Sequence, residues 1–368
     1  MSNPIRHLLG ISGGKDSAAL AIYMKSKYPS LNVEYYSCDT GKELDETYQL
    51  IRNLEVYLGL KINLLQGAQN SSEEPFDHFL KMYGGYLPSS TSRWCTKKLK
   101  LEPFEKYIGE DLSISYVGIR GDEDREGYIS TKKNIQSIFP FRKNIWSEDV
   151  VSKLFSASNF DLLQDVSSCV DFGEFDKKAK GIIQKPLDSM FTRKHKVDSL
   201  LDLCVIPFNQ LVFAFLKHTD YPLSYCKDFP LIDNEDILIR NDIFRILEES
   251  GVGVPAYYNR KEFEINGKIG HYSRSRSGCF FCFYQQKIEW VWLYEQHPDL
   301  FYKAMQYEKE GYTWGQYESL EELIKPDRIA QIKEEYIKRT ERKQKVQSPY
   351  MIDLLDDSEG EGCASCFV

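Results

Sequence analysis

The chain has 368 residues, 42% of them hydrophobic and 14% aromatic, and a formal charge of −8. That length corresponds to about two domains, or to one α/β domain with insertions, and the composition supports a sizeable core. No run approaches the roughly 18 consecutive apolar residues that a membrane span needs. Five carboxylates, Asp353, Asp356, Asp357, Glu359 and Glu361, lie in the C-terminal tail; setting them aside turns −8 into −3. Nothing global therefore marks a nucleic-acid binder.

In chain order, residues 6–11 (RHLLGI) read as a short buried strand, followed by a glycine turn and a helical SAALAIYMKSKY. Residues 32–37 alternate like a second strand, 43–58 are helical, and 61–65 and 114–119 read as third and fourth strands. Strands alternating with helices over residues 1–125 predict a parallel sheet covered on both faces, with ligands beyond the carboxyl ends of its strands. The glycine turn, Asp39 and Arg120 all fall at such ends. Residues 140–235 break the rhythm with mixed short patterns. Residues 236–250 form an amphipathic helix ended by Gly251, and 284–310 and 318–342 read as helical. The division expected is a nucleotide-binding domain over 1–139, an insertion or subdomain over 140–235, a helical region over 236–345 and an acidic, mobile tail over 346–368.

The turn at 12–17 is Ser-Gly-Gly-Lys-Asp-Ser. Between a strand and a helix, successive backbone N–H groups surround an anion and the helix terminus adds partial positive charge. Gly13 and Gly14 let the backbone approach a phosphate, Ser12 and Ser17 offer hydroxyls, and Lys15 offers charge. This is not the Walker spacing. The plain alternative is a Gly-Gly turn with a helix cap. A cleavable leader would destroy the loop, so none is expected, and a cytoplasmic protein follows.

The loop resembles the PP-loop of the adenine nucleotide α-hydrolase superfamily. More narrowly, the chain resembles the phosphoadenosine phosphosulfate (PAPS) reductase family within it. Cys38-Asp39-Thr40-Gly41 through Glu46-Thr47 is similar to the family's second-strand motif, where adenosine lies. Arg93-Trp94-Cys95-Thr96 with Lys97, Lys98 and Lys100 is similar to its segment of a cysteine among basic residues. Gly118-Ile119-Arg120-Gly121-Asp122-Glu123 through Arg125 resembles its Gly-x-Arg-x-acid segment, and residues 242–258 resemble its helix before a Pro-aromatic turn. The likeness covers about 1–130 and 236–310.

It implies a Rossmann-like α/β PP-loop domain that binds ATP or PAPS through Ser12, Gly13, Gly14, Lys15, Asp16, Ser17, Cys38, Asp39, Thr40, Gly118 and Arg120. The superfamily chemistry it implies is attack at the α-phosphate with loss of pyrophosphate, a matter of positioning and electrostatics. Lys15, Asp16, Arg120 and Arg125 are the catalytic candidates. Asp16 and Asp39 are the nearest carboxylates for Mg²⁺, although Asp16 also suits a plain helix start. Arg120 and Arg125 suit an anion clamp or, equally simply, ion pairs with Asp122, Glu123 or Asp124.

Nine cysteines in a reducing compartment point to thiols or metal ligands rather than disulfides. Cys279-Phe-Phe-Cys282 has the spacing of zinc or iron–sulfur ligands, and its apolar filling also fits a buried turn. Cys95 sits among basic residues that favour its thiolate. In the families the chain resembles, a cysteine of that middle segment joins a later Cys-x-x-Cys on one [4Fe-4S] cluster. Such an arrangement is implied by adenylylsulfate reductases and by the sulfur-inserting subunit of Dnd-type DNA phosphorothioation. Here Cys95, Cys279 and Cys282 match. Cys363-Ala-Ser-Cys366 could complete a Cys₄ zinc site with Cys279 and Cys282, carry sulfur on a mobile arm, or be an unpaired tail. The reductases' C-terminal Glu-Cys-Gly-x-His segment has no counterpart here. The basic stretch KRTERKQK (338–345) reads first as a solvated helix face, and Ser273–Ser277 with Arg274 and Arg276 gives a modest phosphate-binding signal.

Three functions remain in view. The first is an ATP-hydrolysing sulfur-transfer enzyme, working with a sulfur-donor partner in DNA phosphorothioation, phage defence or RNA thiolation. The second is a sulfonucleotide reductase. The third is a non-catalytic nucleotide- and metal-binding subunit.

Overall fold

The computed structural model describes residues 5–123, 130, 132–315 and 318–345. Its centre is a five-stranded, all-parallel sheet of order β3-β2-β1-β4-β5. The chain runs β1 (Arg6–Gly10), α1 (Lys15–Lys27), β2 (Val33–Cys38), α2 (Asp45–Leu58) and β3 (Asn63–Leu65). It returns through α3 (Pro75–Met82) and a continuous helical run, made of α4 (Trp94–Thr96), a π-helical stretch (Lys97–Leu101) and α5 (Glu102–Ile108). β4 (Ser113–Tyr116) then pairs with the far side of β1, Leu9 standing opposite Tyr116, and β5 (Ile135–Ile138) closes that edge. The sequence therefore leaves β1 in both directions. The gap above β1 and β4, where the strand order reverses, is the switch point at which such sheets hold ligands.

β5 was not legible beforehand. Its four residues, IQSI, include only two apolar side chains, yet all four are buried, and Gln136 accepts a hydrogen bond from the Leu223 amide at 3.1 Å. A four-residue strand buried throughout, with polar residues at its two central positions, carries no alternating pattern to find.

Residues 140–235 fold as helices: α6 (Glu148–Leu154), α7 (Phe160–Ser168), α8 (Asp176–Gln184), α9 (Arg193–Leu203) and α10 (Val205–Leu216), with short 3₁₀ turns. Their apolar faces join the same core as α1 and the sheet, so that Trp146, Leu200, Phe208 and Phe215 pack in one cluster with Leu9, Leu20 and Met24. A buried polar pin fixes the junction. The Trp146 indole donates to Asn209 Oδ1 at 2.9 Å, and Asn209 Nδ2 donates to the Ile232 carbonyl at 3.0 Å.

The remaining elements are α11 (Arg240–Glu249), the antiparallel hairpin β6 (Lys261–Ile265) and β7 (Lys268–Tyr272), α12 (Lys287–Gln296), α13 (Pro298–Gln306), α14 (Leu320–Leu323) and α15 (Pro326–Lys345). The helix expected over 284–310 is two helices, interrupted at His297-Pro298, and that over 318–342 is broken before Pro326. In each case the proline opens the next helix, where its missing N–H costs nothing. These elements share a second core with α3 and the α4 segment, rich in Trp94, Phe281, Trp290 and Trp314. No helix among the described residues is long and apolar enough to cross a membrane.

Replacing Asn209, which is fully buried, with leucine would strand the Trp146 N–H and the Ile232 carbonyl. The expected loss is about 1–3 kcal/mol of unfolding free energy, read as a lower urea midpoint at unchanged slope. An unchanged midpoint would show that the pin does not hold the helical insertion to the sheet.

Candidate functional site

The loop between β1 and α1 lies at the switch point. Gly13 has φ +73°, a left-handed backbone that side chains rarely adopt, and a Cβ there would fall 2.2 Å from Thr47 Cγ2 on α2. A Cβ on Gly14 would fall 2.6 Å from Ser277 Oγ, and one on Gly118 would fall 3.0 Å from the Asp16 carbonyl. Each of the three glycines is thus approached closely by a residue distant in sequence.

The two serines fold the loop on itself. Their hydroxyls lie 3.1 Å apart, Ser17 Oγ donates to the Gly14 carbonyl at 3.2 Å, and the Ser12 amide donates to Ser17 Oγ at 3.2 Å. No side chain caps α1 at Gly14. The first turn of α1 therefore presents its dipole to the switch-point gap.

Two adjacent tyrosines after α11 brace this turn from the C-terminal half. Tyr257 donates its hydroxyl to the Gly13 carbonyl at 3.1 Å. Tyr258 accepts from the Lys15 amide at 3.4 Å, and its ring lies 4.9 Å from Lys15 Nζ. The Pro-aromatic turn was visible in the sequence as part of the resemblance, but the role of its rings was not.

Lys15 is 2% exposed and contacts Asp16 Oδ2 at 3.4 Å. Arg120, 1% exposed, is held by three carboxylates: Asp16 at 3.0 Å, Asp122 at 2.8 Å and Glu123 at 2.9 Å. Of the two roles left open for Arg120, the ion-paired one is the arrangement seen. Its guanidinium neutralises a buried acidic group and fixes the Asp16 carboxylate at the start of α1. Asp122 also accepts from the Arg240 amide at 3.2 Å, which ties this knot to the beginning of α11. Arg125 lies outside the described residues.

At the end of β2, Asp39 Oδ1 accepts from the Gly41 amide at 2.8 Å and from Tyr48 at 3.0 Å, while Oδ2 accepts from Gln66 at 3.2 Å. Thr40 donates to Glu43 at 2.8 Å and lies 3.2 Å from Cys279 Sγ. Burial, then the nearby Asp39 charge, raises the Glu43 carboxyl above its ordinary value. Sequence reading missed Glu43, although its spacing three residues after Thr40 carried the signal. Lys42 beside it is anchored by Glu74 and by Asp77 at 2.7 Å.

The Cys-x-x-Cys pair sits on a tight turn, the Cys282 amide donating to the Cys279 carbonyl at 3.1 Å, and the Phe280 amide reaches back to the Lys42 carbonyl at 2.8 Å. The pair thus abuts the end of β2. Burial raises the thiols of both Cys279 and Cys282, and pushes that of Cys38 up to about 12; Cys38 donates to the Lys100 carbonyl at 3.6 Å. Cys95 sits on α4 against the second core, as Cys279 does. Among the described residues, no three His, Cys, Asp or Glu side chains gather as a metal site. The described donor set therefore does not by itself fit a cluster or zinc, and Cys363 and Cys366 lie outside the described residues.

An uncapped, glycine-built helix start at the switch point of a 3-2-1-4-5 parallel sheet defines a nucleotide-binding α/β domain of the phosphate-loop kind. Residues 6–159 match the phosphoadenosine phosphosulfate reductase domain. That segment carries a PAPS reductase domain, of the PP-loop superfamily. It is 34% identical over 142 residues to an uncharacterized protein of Methanocaldococcus jannaschii, covering 38% of this chain and 27% of that one. It is 29% identical over 145 residues to an uncharacterized nin region protein of Escherichia phage lambda, covering 32% and 49%. It is 25% identical over 167 residues to the tRNA-specific 2-thiouridylase of Haemophilus ducreyi, covering 36% and 42%. The chain thus spans half or less of the length of these relatives. No solved structure gives a significant match.

Two outcomes test this geometry. Gly13→Ala is expected to lose about 2 kcal/mol or more of stability, since left-handed strain alone costs about 1–2 kcal/mol. Adding Thr47→Ala should restore part of it by removing the 2.2 Å clash; no restoration in urea unfolding would mean that Thr47 does not press on the loop. Separately, alkylation of Cys38 in the folded protein at about pH 8 should run at least ~100-fold slower than in the unfolded chain, where the thiol titrates near 8.5, while exposed Cys169 reacts freely. Equal rates by mass spectrometry would contradict the buried environment of Cys38.

Proposed function

We propose that the chain is an ATP-hydrolysing sulfur-transfer enzyme: it adenylates an acceptor, releases pyrophosphate, and prepares that acceptor for sulfur. The observation that carries the reading is the uncapped start of α1, clamped between Lys15 and the Tyr257–Tyr258 brace. The similarity to a tRNA-specific 2-thiouridylase supports a sulfur acceptor among nucleic acids.

In the proposed step an acceptor oxygen bonds to the α-phosphorus as the bond from that phosphorus to the β-bridging oxygen breaks. The electron pair leaves with pyrophosphate, and the acceptor's proton goes to solvent. Sulfide-level sulfur from a donor partner then displaces AMP. The backbone amides of the loop and the α1 dipole hold the departing phosphates. Lys15 supplies charge from a dry site, where it counts for more than in water. Arg120 holds the Asp16 carboxylate in place at 3.0 Å, acting as a positioning residue. Mg²⁺, when it accompanies ATP, neutralises the leaving group's charge; Asp39, with one oxygen held only by Gln66, is the residue that would help to hold it. No step is assigned to an iron–sulfur centre. The Cys279–Cys282 pair beside Thr40 marks where sulfur chemistry would meet the nucleotide. DNA phosphorothioation and phage defence stay within this proposal as settings.

The second reading, a sulfonucleotide reductase, is favoured by the reductase domain match itself. Incubation with Mg²⁺ and either ATP or PAPS separates the two. Formation of AMP and pyrophosphate from ATP, reduced at least ~100-fold by Lys15→Ala, is the expected result. Sulfite release from PAPS or adenylylsulfate with a dithiol would replace this reading by the second. Binding without turnover of any of them would make the chain a nucleotide-binding subunit. An anaerobic preparation assayed for iron and zinc reports independently on the cysteines.

A further inference from the structure

The helix α15 packs across the hairpin. Gly270 makes room for it: a Cβ there would meet Phe263 Cζ at 2.5 Å and Ile337 Cγ1 at 3.0 Å. Lys333 anchors it, pairing with Glu295 at 2.6 Å above the rings of Phe263 and Tyr272. Between α15, the hairpin and the start of α11 this packing leaves a cavity of about 410 Å³.

Four arginines from four separate segments line the cavity: Arg240, Arg260, Arg274 and Arg339. It contains two carboxylates, and both are already engaged. Glu289 accepts from the Ser275 amide at 2.7 Å, the Ser275 hydroxyl at 2.8 Å and the Gln286 amide at 2.9 Å. Glu341 pairs with Lys268 at 3.0 Å.

Arg274 is 1% exposed. Its Nη2 donates to the Cys279 carbonyl at 3.1 Å, and its Nε and Nη1 are buried with no hydrogen-bond partner. A buried guanidinium without a carboxylate partner projects its charge into the adjoining cavity, where low-dielectric walls focus it. On a chain of net charge −8 this is a local reversal of sign.

The basic surface does not stop at the cavity. A second depression, lined by Glu335, Lys338, Arg339 and Arg342, shares Arg339 with the first and continues along α15. Within the cavity, half-buried Tyr336 and exposed Ile269 supply flat and apolar surface among the charges. One phosphate needs neither the length nor the aromatic ring. A track of cations with an interleaved aromatic suits a single strand whose phosphates follow the charges and whose bases stack.

We propose that this cleft binds the phosphodiester backbone of a single-stranded nucleic-acid segment. Residues 273–277 run from the cleft to the loop, where Ser277 abuts Gly14. The strand would thereby be held on the flank of the nucleotide site as the acceptor. Its role as acceptor rests on the reading given above, whereas its binding does not.

The test is fluorescence anisotropy with a labelled mixed-sequence single strand of about 16 nucleotides, as RNA and as DNA, without ATP, over about 50–200 mM salt. Arg260→Gln with Arg339→Gln, both exposed, should weaken binding about tenfold or more and lower the log–log salt slope by about 1.4, or 0.7 per lost contact. Lys177→Gln with Lys178→Gln, exposed on α8, should change neither. Equal loss in the two double variants, no loss in the first, or no binding by the unaltered chain overturns the proposal. So does displacement of the strand by millimolar inorganic phosphate or by poly-glutamate as effectively as by unlabelled strand, which would make the cleft a single-phosphate site or a dock for acidic protein. Strand binding without ATP turnover would sink the adenylation reading and leave this one standing; turnover without strand binding would do the reverse.

Discussion

The N-cap of α1 is a glycine with no capping side chain of its own, and the rest of the turn is built around that. A Ser or Asp cap would satisfy the helix amides and remove their use to a ligand. The chain instead places Gly14 there and stabilises the turn from outside, by serine hydroxyls below and tyrosine hydroxyls above. Thr47 occupies the space a Cβ on left-handed Gly13 would need, and the Ser277 hydroxyl lies where one on Gly14 would fall.

A second consequence concerns charge. Five acidic and basic side chains, Lys15, Asp16, Arg120, Asp122 and Glu123, converge on one side of the loop. Removing one member of such a buried group leaves the others uncompensated, which costs more than the group contributes as a whole. Arg120 looks like an anion clamp in a linear motif. In the fold it is committed to carboxylates.

The parallel sheet and its loop were legible because βα units repeat a period that single sequences show well, and because the glycines and Asp39 fall where strands end. The short strand β5 was hidden by its two polar residues, and the hairpin β6–β7 by charged, largely exposed positions that leave only Phe263, Gly270 and Tyr272 buried. The helices of 140–235 carry short, irregular apolar faces because they cover the core from one side. At the site, residues contiguous in sequence were found and residues brought in from afar were not. Arg274 and Ser277 were noted only as a modest phosphate signal, and nothing in one sequence could show that they meet Gly14 and a cavity beneath α15.

The brace on the loop joins residues separated by 243 and 244 positions, Lys15 to Tyr258 and Gly13 to Tyr257. During synthesis at about 5–20 residues per second, the loop emerges tens of seconds before its brace. Over that interval the nascent chain has the glycine turn but not the rings that set its shape, and closing so long a span is the slow, entropically expensive kind of contact. The protein thus acquires its nucleotide site late in its own production, after most of the sheet and the helical insertion have emerged. An unfinished chain on the ribosome does not yet have the braced loop.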